Sequence, residues 1–145
     1  MKIDNIATAK KLRKFFKKVV WFIFSVSEYW YKYPDASPNY LPKIELYNDG
    51  SHLDEMRGYT NDIIDALEKL PAVERSVIWW RYIMKEPVID AEQRFNISGR
   101  SIQEIGQQGL VMFADAFVGT HDFRVMQYRG MRHELYRRNR WPTSR

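Results

Sequence analysis

Residues 87–117, PVIDAEQRFNISGRSIQEIGQQGLVMFADAF, hold the signal from which the rest of the fold follows. The pattern predicts a short helix, a tight turn at Phe95-Asn96-Ile97-Ser98 and a second, longer helix. Asn96 stands where the backbone must pass through the left-handed region, which Asn tolerates better than any residue except Gly. Ile97 is expected to plug the angle between the helices, and Ser98 is a good N-cap for the second. Along that helix Ile102, Ile105, Gly109, Met112 or Phe113, and Ala116 recur at steps of three and four, an inward stripe. Gly106 and Gly109 each cost roughly 1 kcal/mol in a helix interior relative to Ala, which close approach of a neighbouring helix would explain.

Two helices joined in this way have the layout of a helix-turn-helix, whose second helix enters the DNA major groove. Ser98, Arg100, Ser101, Gln103, Glu104, Gln107 and Gln108 are the candidate base-reading residues. Arg pairs with guanine, Gln with adenine, Glu accepts from cytosine, and Ser serves several partners. An ordinary polar face on a core helix has the same letters. Arg94, just before the turn, and Lys85, in the Lys85-Glu86-Pro87 turn that leads into the stretch, are candidate phosphate contacts.

At 145 residues, 15% of them aromatic, the chain is long and apolar enough to bury a moderate core. Its net charge of +5 hides a segregation. Residues 1–34 carry eight Lys or Arg against Asp4 and Glu28, while residues 120–145 carry seven Arg against Asp122 and Glu134. The stretch between is acidic. Neutralising phosphates with Lys and Arg supplies most non-specific DNA affinity, so any grip on DNA must draw on the basic ends. Arg129, Arg132, Arg137 and Arg138, interleaved with aromatics in the C-terminal extension 119–145, are further candidate phosphate contacts. A helix from Phe123 to Arg138 is compatible with that pattern.

Residues 6–33 read as one basic amphipathic helix. Leu12, Phe15, Val19, Phe22, Val26, Tyr29 and Tyr33 make one stripe; Phe16, Ile23 and Trp30 make a second beside it. A face this wide needs a cover, either the helix-turn-helix core or the same helix of a second copy in a homodimer. The apolar run Val19–Phe24 is far short of the roughly 18–20 residues that span a bilayer, so no membrane partner is expected. Residues 34–50, with three Pro, form a linker or long loop.

Ser51 then caps a helix, with Asp54 in capping-box position. Leu53, Met56, Thr60, Ile63 or Ile64, Leu67 and Leu70 mark its inner face, and Gly58 weakens its start. Pro71 ends it and opens the helix 72–84, which buries Val73, Val77, Ile78 or Trp80, and Ile83 or Met84. Trp79, Arg81 and Tyr82 cannot all point inward. The chain is thus expected to be all-α: an N-terminal helix 1–33, a linker 34–50, a helix-turn-helix domain 51–118 and a basic extension 119–145.

The span from Leu70-Pro71 through Arg75, Tyr82 and the Ile97-Ser98 turn to the long helix resembles region four of sigma-70 factors. More specifically it resembles the ArpU family of phage-encoded transcriptional regulators of Gram-positive bacteria, over roughly residues 8–118. The basic helix Lys10–Lys18, the Pro34–Gly50 linker and the Phe-Ala-Asp-Ala-Phe ending at Phe117 belong to that likeness. It implies a sequence-specific DNA-binding regulator in the bacterial cytoplasm, activating late phage genes for packaging or lysis; the alternative is a sigma-like helical interaction module that binds RNA polymerase or another protein and reads little DNA. Asn96 replaces the usual Gly of the turn, and Glu92 stands where a small residue is customary. Ala91, adjacent, would restore packing through a slightly different helix rotation.

Other chemistry finds little support. His52, His121 and His133 lie far apart without a second ligand at metal spacing. No Gly-rich phosphate loop, Gly-x-Ser-x-Gly elbow or acid/base carboxylate pair is visible, so no enzyme, metal or cofactor is expected. Zero Cys excludes disulfides and thiolate chemistry and fits a reducing cytosol.

Overall fold

The computed structural model describes residues 2–127 and is mostly helical, 64% helix in six helices, the first of them long. That first helix runs without interruption through α1 (Asn5–Lys14), a π-helical segment (Phe15–Val20) and α2 (Trp21–Val26). Asp4 caps it by accepting from the Ala7 N–H at 3.0 Å. A short α3 (Tyr29–Lys32) follows, then irregular chain, α4 (His52–Glu68), and α5 (Ala72–Ile78), which continues into a second π segment (Trp79–Ile83). Two more helices complete the set, α6 (Val88–Phe95) and α7 (Gly99–Ala116). Two strands of two residues each, β1 (Lys2–Ile3) and β2 (Met126–Gln127), pair antiparallel.

The N-terminal helix departs from its expected register for a physical reason. In a π turn the hydrogen bonds run i to i+5, so one extra residue is absorbed and everything after it is rotated by roughly 100°. Leu12 and Phe15, ahead of the rotation, are buried as the spacing predicts. Val19 and Phe22 are instead 39% and 59% exposed, and Val20 and Ile23, one residue later, take their places in the core.

The helix also ends earlier than Tyr33. Ser27 donates its hydroxyl to the Phe24 carbonyl and meets the Thr60 hydroxyl of α4 at 2.8 Å. Glu28 then adopts φ 67°, a left-handed conformation costing about 1 kcal/mol for a residue with a Cβ. Its carboxylate binds the guanidinium of Arg57 at 2.6 Å. The break turns Tyr29 inward, where its ring lies 4.8 Å from Phe24.

The irregular segment after α3 is pinned to α4. Leu41 and Ile44 are buried, and the Asn61 side chain both accepts from the Ile44 N–H and donates to its carbonyl, at 2.9 and 2.8 Å. Ser51 caps α4 through the Asp54 N–H, but Asp54 does not complete a capping box. Its carboxylate accepts from the N–H groups of Tyr47 and Asn48 instead. Helix α4 passes unbroken through Gly58, and both Ile63 and Ile64 are buried.

In α5 and its π extension Val77, Ile78, Trp79, Tyr82 and Ile83 face the core. Val73 and Met84, both expected inside as candidates, are exposed. In α7 the inner residue is Phe113, with Met112 outside, and Gly106, Leu110 and Ala114 join it. The N-terminal stripe is covered within the chain: Phe16 meets Phe113 at 4.9 Å and Phe15 meets Phe117 at 5.7 Å.

Beyond α7 the chain doubles back. The Phe123 ring lies tilted 4.7 Å from Phe15, and the Val125 N–H donates to the buried Thr8 hydroxyl at 2.9 Å. Residues 123–127 are therefore irregular chain and strand, not the start of a helix, because pairing with β1 extends the backbone. The remainder of that expected helix, with Arg129, Arg132, Arg137 and Arg138, lies outside the described residues.

Candidate nucleic-acid interface

The turn between α6 and α7 is built as its letters suggest. Asn96 ends α6 at φ 56°, ψ 45°, the left-handed conformation. Ile97, half-buried, packs with Phe95 and Ile105 on a small cluster of Val77, Ala91 and Ile102. Ser98 caps α7 by accepting from the Ser101 N–H at 3.1 Å. Ala91 fills the packing position and Glu92 turns its carboxylate onto the Gly99 N–H at 2.7 Å, a second cap supplied from the preceding helix. A Cβ on Gly99 would stand 3.1 Å from Val88 Cγ1 and 3.2 Å from that same carboxylate oxygen, so a larger residue at the first position of α7 would press on the cap.

The glycines inside α7 mark where α5 crosses it. A Cβ on Gly106 would fall 3.0 Å from the Tyr82 hydroxyl, and one on Gly109 would fall 2.9 Å from Ile78 Cδ1 and 3.3 Å from the Glu74 carbonyl. Close approach is thus the reason for both.

The candidate reading residues divide into two groups. Arg100, Glu104 and Gln108 open directly to solvent, the Arg100 side chain being 90% exposed. Arg100 and Glu104 approach each other to 3.5 Å, one turn apart, a contact worth little at that exposure. Ser101 is half-buried, and the Ser98 hydroxyl donates to it at 3.1 Å while capping the helix, so both are engaged locally. Gln103 and Gln107 lie to one side of this face and border a cleft of about 570 Å³.

That cleft is lined by Arg13 and Lys17 from the N-terminal helix, Arg81, Tyr82 and Lys85 from the end of α5, and the two glutamines. Among the described residues no carboxylate lines it. Arg81 is held in place by donating to the Glu86 carbonyl at 2.6 Å. Lys85, at φ 58°, places its ammonium 5.3 Å from the Trp21 ring centroid. Arg13, Lys17 and Arg81 are not among the residues that periodicity singles out. No spacing in the sequence finds them: Arg13 and Lys17 straddle the start of a π segment and Lys85 lies outside any helix at φ 58°, so only the packing of the N-terminal helix against α7 and the end of α5 brings them together.

Arg94 behaves differently from Lys85. Its guanidinium lies 3.6 Å from the Trp80 ring centroid and donates to both Glu86 oxygens, at 2.8 to 3.1 Å. The hydrogen bonds to Glu86 raise its pKa further above the usual guanidinium range. Its charge is answered within the protein.

Among the described residues no group of acidic, His or Cys side chains could hold a metal ion, and no helix is long and apolar enough to cross a membrane. No protein-family model, no curated protein and no solved structure matches the chain.

Proposed function

We propose that the chain is a sequence-specific regulator of transcription that binds double-stranded DNA through α6 and α7 as a helix-turn-helix. The observation that carries this reading is the outer face of α7: a doubly capped helix start followed by Arg100, Glu104 and Gln108 open to solvent. A rigid helix that begins in two caps presents those side chains in fixed directions, which recognition of base edges requires. The likeness to sigma region four and to ArpU-type phage regulators adds the biological setting, activation of late genes in a bacterial host.

Selection from a random DNA pool tests the proposal. It expects one enriched sequence, binding that weakens steeply with salt, and relaxed preference at single positions on Arg100→Ala and Gln108→Ala, each worth about 1–3 kcal/mol of discrimination. A pool that returns no consensus counts against it.

A second reading, a helical module that docks on RNA polymerase and reads little DNA, draws on one feature. Ile89 on α6 is 65% exposed beside Asp90, an apolar contact point that DNA reading does not use. Recovery of polymerase subunits from nuclease-treated lysate, abolished by Ile89→Ser, would favour it. A homodimer through the N-terminal helix would have to use the exposed Val19 and Phe22, since the main stripe is covered within the chain.

A further inference from the structure

The cleft beside α7 gathers four cations and, among the described residues, no acid. Within the same set none of Arg13, Lys17, Arg81 and Lys85 has an ion-pair partner, in contrast to Arg57, Arg94, Arg100 and Arg124. Like charges gathered around one space repel, and the repulsion is relieved when an anion enters. Two of the four are held in place, Arg81 by its bond to the Glu86 carbonyl and Lys85 by its backbone and the Trp21 ring, so little side-chain freedom is given up on binding. The Gln103 and Gln107 amides and the Tyr82 hydroxyl add neutral donors around the same space.

We propose that this cleft is a phosphate-binding site, filled by backbone phosphates of a DNA duplex docked along α7, so that the N-terminal helix forms part of the DNA grip. The occupant rests on the DNA-binding reading given above. A helix about 10–12 Å across nearly fills a major groove about 12 Å wide. When Arg100, Glu104 and Gln108 face the bases, the flank bearing Gln103 and Gln107 therefore lies against a phosphate strand. On that flank stand Arg13 and Lys17.

The test uses the full chain and the double variant R13Q/K17Q, which removes both charges while keeping the first methylenes of each stem and a polar end. On a duplex bound by the parent, the slope of log affinity against log salt is expected to fall by about 2, near 0.9 for each phosphate no longer neutralised, with base preference unchanged. The same double change at Lys10 and Lys11, exposed on the same helix outside the cleft, should leave the slope near that of the parent. A second arm titrates inorganic pyrophosphate and follows the Gln103 and Gln107 side-chain amide resonances.

A reduced slope in R13Q/K17Q alone supports the proposal. An unchanged slope with amides that move in the parent and not in the variant keeps the phosphate site but overturns DNA as its occupant, in favour of a small phosphorylated molecule. An unchanged slope with unmoved amides overturns the site, as does an equal fall in both double variants. If the parent binds no duplex, the DNA reading fails, DNA falls as the occupant, and the pyrophosphate arm alone decides the site.

Discussion

The Glu92 carboxylate accepts a hydrogen bond from the Gly99 N–H at 2.7 Å, reaching across the turn from one helix to cap the next. Each of the first four N–H groups of a helix lacks an internal partner, and a carboxylate there also meets the positive end of the helix dipole. Glu92→Ala is expected to cost about 1 kcal/mol in urea unfolding. Glu92→Gln, which retains an acceptor, should cost less. Equal costs would mean that only the charge matters.

The glycines make opposite predictions. Gly109→Ala sets a methyl against Ile78 and the Glu74 backbone, and overpacking of this kind costs about 1–3 kcal/mol, enough to outweigh the gain of about 1 kcal/mol in helix propensity. Gly58 sits in α4 with nothing within 4 Å of an added Cβ, so Gly58→Ala should stabilise by roughly 0.5–1 kcal/mol. Unfolding midpoints of the two variants should therefore move in opposite directions.

Arg57 is almost wholly buried and Glu28 is its carboxylate partner. Glu28→Ala leaves an uncompensated charge and keeps the left-handed strain, with an expected destabilisation of about 3 kcal/mol. Glu28→Gly removes the same pair but relieves about 1 kcal/mol of strain, so it should be the milder change by thermal unfolding. A glycine variant no more stable than the alanine variant would contradict that account.

Tyr29 is fully buried, and its hydroxyl finds no partner among the described residues. Burial first, then the neighbouring Tyr33 and Glu68, push its phenol above the ordinary range. The folded state thus holds the proton more tightly than the unfolded chain. That stabilising difference is fully present below the ordinary phenol pKa and is lost as pH rises past it. Tyr29→Phe should flatten the alkaline loss of stability, and at neutral pH it should gain up to about 1 kcal/mol by removing an unsatisfied group. Urea titrations at pH 7 and above pH 10 check both.

Arg94→Ala and Arg100→Ala separate structure from recognition. Arg94 is engaged by Glu86 and Trp80, so its removal should lower stability by about 1–2 kcal/mol and leave any base preference intact. Arg100 is free of the core, so its removal should do the reverse. Unfolding curves alongside pool selection distinguish the two.

Much of the turn was legible because its chemistry is local. Asn96, Ile97 and Ser98 each answer a constraint set by their immediate neighbours, and the glycines of α7 pointed to a crossing helix. The N-terminal helix was legible as a helix but not in its register, since no residue type announces an i to i+5 bond, and the stripe through Val19 and Phe22 fits an unbroken α-helix equally well. The break at Glu28 depends on Arg57, and the Phe123 contact on Phe15, both distant in sequence. The split of the polar face likewise appears only once the N-terminal helix lies beside α7 and brings Arg13 and Lys17 to Gln103 and Gln107.

Phe15 and Phe16 find their cover in Phe113 and Phe117, at the far side of the described chain. A ribosome delivers the first pair about a hundred residues before the second, so the aromatic face of the nascent helix stays bare until α7 has been made. Contacts of such high sequence separation slow folding and leave the growing polypeptide prone to association or chaperone capture until α7 emerges.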